Sequence, residues 1–192
     1  VLFWFQLHCG FSGQDIIDDV SLILFSVFYT SLPPLVLGVF ERDETQEQLY
    51  SNPGLYPRLS RSYTPLSFWL AMVEALYHSL LLFYLPYCWG LATPLDLWQL
   101  GSSVCLATIL VIMQKLALEI RSWTVMHVAS VLLSVGLYLA VSLLTASVSL
   151  ASSSPFMASP GQWAVLVLTL ALAPIPRLAC RALAGTLGAG HL

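Results

Sequence analysis

The chain has 192 residues, 58% hydrophobic and 9% charged, with a formal net charge of −3 and a mean hydropathy of +0.82. Soluble domains carry roughly 25% charged side chains, so this composition excludes a water-soluble fold and describes an integral membrane protein. At on the order of 20 residues per span, there is room for about five or six transmembrane helices and for no separate soluble domain.

The chain opens at Val1 inside the apolar run VLFWFQL, without the basic leader and small-residue cleavage pattern of a signal peptide. It reads as the C-terminal piece of something longer, with residues 1–9 as the end of a preceding span. A polar turn, Gly10 to Asp19, carries Asp15, Asp18 and Asp19 and no basic residue. The first complete span is expected over about 20–40. It contains Pro33 and Pro34, each lacking the N–H that a helical ladder needs and crowding the carbonyl four residues back. In hydrocarbon such freed carbonyls must find other partners, and Thr30 and Ser31 stand just upstream. A broken helix beside a transport path and a kink that only fits packing both satisfy this pattern.

The longest polar connection is 41–65, where Asn52-Pro53-Gly54 is turn chemistry. The second span, about 66–87, has Phe68, Trp69, Tyr84 and Tyr87 toward its ends, as an aromatic belt would. A connection from Cys88 to Gly101 follows. The spans at about 102–120 and 124–144 form a hairpin about Arg121-Ser122-Trp123, and Lys115 and Glu119, four residues apart, are expected to face each other. Thr145 to Gln162 reads as an exposed loop, and the last span, about 163–183, contains Pro174 and Pro176. The fold class is thus all-α, a polytopic bundle of five complete spans in one membrane domain over residues 1–192. Cys9, Cys88, Cys105 and Cys180 lack CxxC spacing, so no metal site is indicated. A Cys9–Cys88 bridge stays open, since both thiols fall toward the same membrane face.

Counting alternate connections, Arg42, Arg58, Arg61, Lys115, Arg121, Arg177 and Arg181 all fall on one side, and these are the 7 basic residues of the chain. The positive-inside rule makes that side cytosolic, with the Gly10–Asp19 turn opposite and the C-terminus cytosolic. No phosphate-binding GxxxxGK[ST], HExxH, GxSxG or Asp-Lys-Thr-Gly run is present, and no catalytic residue is assigned. Among polar residues at membrane depth, Glu74 and His78 share a helical face and are expected to hydrogen-bond each other, as a structural pair or as a relay. Gln114 and His127 are expected near the interface. Ser130, Ser134, Gly136 and Ser142 suit close helix contact. Ser26, Thr30 and Ser31 beside Pro33 and Pro34 make a hydroxyl-bearing but uncharged break, which suits an amphipathic substrate better than a small ion.

Several motifs in this order resemble the C-terminal membrane region of the P-type phospholipid-translocating ATPases, the lipid flippases. They are Phe11-Ser12-Gly13-Gln14, Phe28-Tyr29-Thr30-Ser31-Leu32-Pro33-Pro34, Gly38-Val39-Phe40-Glu41-Arg42-Asp43, Asn52-Pro53-Gly54-Leu55-Tyr56, Tyr77-His78-Ser79 and Leu118-Glu119 with Trp123-Thr124. The resemblance implies helices six to ten of a ten-helix pump, preceded by the end of helix five. It implies a phospholipid substrate moved from the outer or lumenal to the cytosolic leaflet, ATP and Mg²⁺ as cofactors of the full-length parent, and a membrane-embedded accessory subunit, with no nucleic acid partner. The location implied is the plasma membrane or an endomembrane, with the catalytic cytosolic domains upstream of Val1. Two positions depart from the family pattern and bear on headgroup preference: Ser26 where an asparagine is usual, and Arg58-Leu59-Ser60 where Gly-Gln would follow Leu-Tyr. Two rival readings remain at this level. One is a truncated or scaffold protein that transports nothing; the other is an ion-coupled carrier using Glu74 and His78.

Overall fold

An apolar chain in hydrocarbon must satisfy its backbone internally, which leaves helices as the form a run of about 20 residues takes. The computed structural model describes residues 1–41, 50–51, 65–93, 96–120, 122–148 (side chains to 145) and 160–179. All regular structure among them is helical. The Asn52-Pro53-Gly54 turn, Arg42, Arg58, Arg61, Arg121, Arg181 and Cys180 lie outside the described residues.

Helix α1 is Leu2–His8. It ends where Gly10 and Phe11 take positive φ, 61° and 58°, a turn that a bulky side chain such as Phe11 rarely adopts. The chain then returns along itself, with the Gln6 side-chain amide donating to the Gln14 carbonyl at 3.1 Å. Asp18 caps α2, Asp19–Leu24, by accepting from the Ser21 N–H at 3.0 Å. This satisfies one of the orphan donors of the first turn. From Phe25 to Tyr29 the ladder widens to a π-helical turn, closed by the Thr30 N–H on the Phe25 carbonyl at 3.1 Å. Helix α3, Leu32–Phe40, starts at the prolines themselves. There the missing N–H groups would have had no helical partner anyway, so Pro33 and Pro34 begin a helix and do not kink one.

Helix α4 is Pro65–Ala92. It runs past the expected end at Tyr87 because Pro86 is accommodated inside it and Gly90 costs a helix only about 1 kcal/mol. The connection to α5, Leu97–Glu119, is correspondingly short, and Asp96 caps α5 through the Leu97 N–H at 2.8 Å. Helix α6 is Val125–Val148 and α7 is Pro160–Leu172. After a turn at 173–174, helical structure resumes at 175–179. Five stretches are long and apolar enough to cross a membrane: Asp19–Phe40, Pro65–Ala92, Leu97–Glu119, Val125–Thr145 and Pro160–Ala179.

Helix α5 is the centre of the bundle. Of its most apolar window 44% is buried, against 11% for the first span and 22% for the last. Helices α4 and α7 pack on it and on each other, while α6 touches it beside α3 and the π-helical turn. Hydrocarbon gives apolar side chains no reason to prefer each other over lipid, so close fit decides the contacts. Tyr29, fully buried, meets Tyr138 edge to face at 5.4 Å, and the Tyr138 hydroxyl donates to the Ser102 carbonyl at 2.9 Å. A Cβ on Gly101 would meet the Ile16 backbone carbonyl, and one on Gly161 would meet the Trp89 ring. Gly136, expected at a close contact, faces open space, and it is Ser130 and Ser134 that are buried. At the far end of α4, Phe83, Tyr84 and Tyr87 surround the His8 ring with centroids 4.8 to 5.7 Å away. Cys9, Cys88 and Cys105 are free thiols.

Candidate functional site

Every proline inside a span removes the donor for the carbonyl four residues earlier. In this chain those carbonyls include Tyr29 (from Pro33), Thr30 (from Pro34), Leu82 (from Pro86), Leu170 (from Pro174) and Leu172 (from Pro176). Those of Tyr29, Leu170 and Leu172 accept a hydrogen bond from a side chain on another helix. Two polar places in the bundle arise this way.

The first is the broken span. The Ser134 hydroxyl on α6 donates to the Tyr29 carbonyl. Thr30 donates to the Phe25 carbonyl at 2.8 Å, and Ser31 to the Val27 carbonyl. The expected path residues do not share one face. Ser26, Ser31 and Pro34 are exposed, Thr30 is half-buried, and Pro33 is buried against the bundle beside Tyr29. The exposed side also carries Val27 and Leu35. It is therefore a largely apolar surface with hydroxyl oxygens at intervals, whose lone pairs can still accept. Phe11, Ser12, Gly13 and Gln14 form an exposed turn before this span.

Ser134 tests how much this stitching matters. Ser134→Ala should lower the apparent unfolding temperature of the purified protein by the equivalent of about 0.6–1.7 kcal/mol, the range for interhelical hydrogen bonds in lipid. Ser130→Ala serves as the comparison, because its hydroxyl donates to the His127 carbonyl of its own helix and its loss should be near neutral. Equal effects would refute the assignment.

The second place lies between α4, α5 and the break of the last span. Gln114 donates to the Leu170 carbonyl at 3.1 Å, Tyr77 to the Leu172 carbonyl at 3.1 Å, and His78 Nε2 to the Ala173 carbonyl at 2.9 Å. Glu74 and His78 do line one cavity, but each has its partner on another helix and not in the other. Glu74 pairs with Lys115 at 3.2 Å. Lys115 and Glu119, expected to pair along α5, separate in the same way, and Glu119 pairs with Arg177 of the last span. An i, i+4 pair gains only about 0.2–0.5 kcal/mol, so contacts that also tie helices together prevail. Gln114 and His127 both face the protein interior. Gln114 serves the break, and His127 is 1% exposed, with its Nδ1 accepting from the Thr124 N–H at 3.3 Å. Sequence reading missed Tyr77 and Ser134 as donors. The usable signal was the arithmetic of prolines and carbonyls, followed by a search for polar side chains at matching depth.

Comparison with known proteins bears on the chain as a whole. A family model described as phospholipid-translocating P-type ATPase C-terminal matches residues 1–188. Phospholipid-transporting ATPase VB of Homo sapiens is 35% identical over 98% of this chain and 14% of its own length. Phospholipid-transporting ATPase VD of Mus musculus is 33% identical over 97% of this chain and 14% of its own length. Phospholipid-transporting ATPase VA of Homo sapiens is 33% identical over 96% and 13%. The chain thus spans about one-seventh of the length of these curated relatives.

Proposed function

Because this chain belongs to the P-type phospholipid-translocating ATPases, as their C-terminal membrane region, we propose that it supplies the last membrane helices of an ATP-driven flippase. The pump moves phospholipid from the outer or lumenal leaflet to the cytosolic leaflet, in the plasma membrane or an endomembrane. The observation that carries this reading is the broken first span. Its π-helical turn and proline start interrupt the helix where Ser26 and Ser31 stand on an exposed, mostly apolar side. A phospholipid has both a polar head and apolar tails, and such a surface offers acceptors to one and contact area to the other.

ATP and Mg²⁺ act elsewhere in the full-length protein. The chain by itself, without an Asp-Lys-Thr-Gly run, is expected to hydrolyse no ATP. Its own part is to position the path and to follow the movements of the rest. The basic residues of the sequence support an orientation with the α3 exit and the C-terminus in the cytosol. A membrane-embedded accessory subunit accompanies the pump. The outer side of α4, which exposes Leu66, Trp69, Leu70 and Val73, is a surface for such a subunit or for lipid tails.

The test is uptake of fluorescent phospholipid by cells expressing the full-length protein with its accessory subunit. Ser26→Leu and Thr30→Leu should each slow uptake about tenfold, equivalent to about 1.4 kcal/mol on the barrier, at unchanged expression. If neither variant slows uptake, the lipid does not pass these residues.

A further inference from the structure

Two buried side-chain atoms at the break of the last span have no hydrogen-bond partner in the protein: Gln114 Oε1, an acceptor, and Arg177 Nη1, a donor. Both residues line the same cavity, with Glu74, His78 and Lys115. Leaving either atom without a partner at membrane depth would cost on the order of 1–3 kcal/mol. The two are complementary in sense, so one small group that both donates and accepts would satisfy both.

Size and charge narrow what that group is. The cavity has a volume of about 10 Å³, close to the minimum of roughly 10–15 Å³ that one water molecule needs. The charges lining the site are already compensated, Glu74 by Lys115 and Arg177 by Glu119, so no net field draws in an ion. The lining is polar, and a buried water holds its place with two to four polar partners. We propose that this cavity binds a single structural water, which donates to Gln114 Oε1 and accepts from Arg177 Nη1. The water completes the set of side-chain contacts, from Tyr77, His78 and Gln114, that replaces the backbone ladder around Pro174 and Pro176. Gln114 then joins the two halves of the last span, its amide on the Leu170 carbonyl before the break and its oxygen, through water, on Arg177 after it.

Cryo-electron microscopy of the full-length protein in lipid nanodiscs, at a resolution where other buried waters are visible, is the direct test. Isolated density within hydrogen-bonding distance of both atoms is the expected result. Empty density there overturns the proposal, and so does density continuous with a lipid headgroup. Radiolytic hydroxyl labelling gives a second reading, since a bound water delivers radicals to its neighbours. Labelling of His78 should fall several-fold in Arg177→Lys, which keeps the positive charge beside Glu119 but removes Nη1. Unchanged labelling in that variant counts against the site, and should the variant fail to fold, the wild-type density still decides.

Discussion

Gly101→Ala is expected to destabilise the protein by about 1–3 kcal/mol, the usual cost of overpacking, although alanine is the better helix former by about 1 kcal/mol. The reason is what the new methyl would meet. It points at the Ile16 backbone carbonyl, and a backbone atom cannot rotate aside as a side-chain tip can. Nor can Ile16 retreat. It is fully buried and packs with Phe5 and Phe83, on a turn held at one side by the Gln6–Gln14 contact and at the other by the Asp18 cap. Gly136→Ala is the control, because nothing lies within 4 Å of its added carbon. That variant should be neutral or gain up to about 1 kcal/mol. Thermal unfolding of the two purified variants reads the difference directly, and matching midpoints would mean that α5 and the turn do not touch.

The second large effect is an asymmetry across the Glu74–Lys115 pair. Lys115→Leu leaves a carboxylate at membrane depth with its side chain only 22% exposed and removes the cation that pairs with it. The expected loss is about 2 kcal/mol, between the cost of breaking an exposed pair and that of breaking a buried one. Glu74→Leu should cost less. The Lys115 side chain is 44% exposed, and its long stem can carry the ammonium toward the interface. Glu74→Leu combined with Lys115→Leu should recover most of the stability lost in Lys115→Leu alone, since two apolar groups replace an ion pair and leave no charge stranded. A double-mutant cycle on unfolding midpoints measures this. Simple additivity of the two single changes would show that the charges do not interact.

Much of the bundle was legible from apolar run length, because hydrocarbon leaves the backbone so few options. The five spans and the interruption at Pro33-Pro34 are of this kind. Their finer geometry was not. The helical segment from Cys88 to Ala92 read as part of a connection running to Gly101, because Trp89, Gly90 and Pro94 resemble turn chemistry and nothing local records where the helix stops. The partners of Glu74, His78, Lys115 and Glu119 lie 41 or more positions along the chain. Spacing of three and four describes one helix surface and is silent about what faces it. The contact between Gly101 and Ile16 is illegible for the same reason. The candidate path was half-readable: the residue types were identified, but the π-helical turn at Phe25–Tyr29 redistributes them between the exposed and buried sides.

The length of α4 matters to the surrounding lipid. Its 28 residues extend about 42 Å at 1.5 Å per residue, against about 30 Å of hydrocarbon. A helix with that excess must tilt, stand out of the bilayer or thicken the lipid beside it, and each accommodation has a modest cost per ångström. The excess shrinks in the thicker, sterol-rich bilayers of the cell surface and grows in the thin bilayer of the endoplasmic reticulum. The thickness of the surrounding bilayer thus sets how far this one helix must tilt or stand out of the membrane.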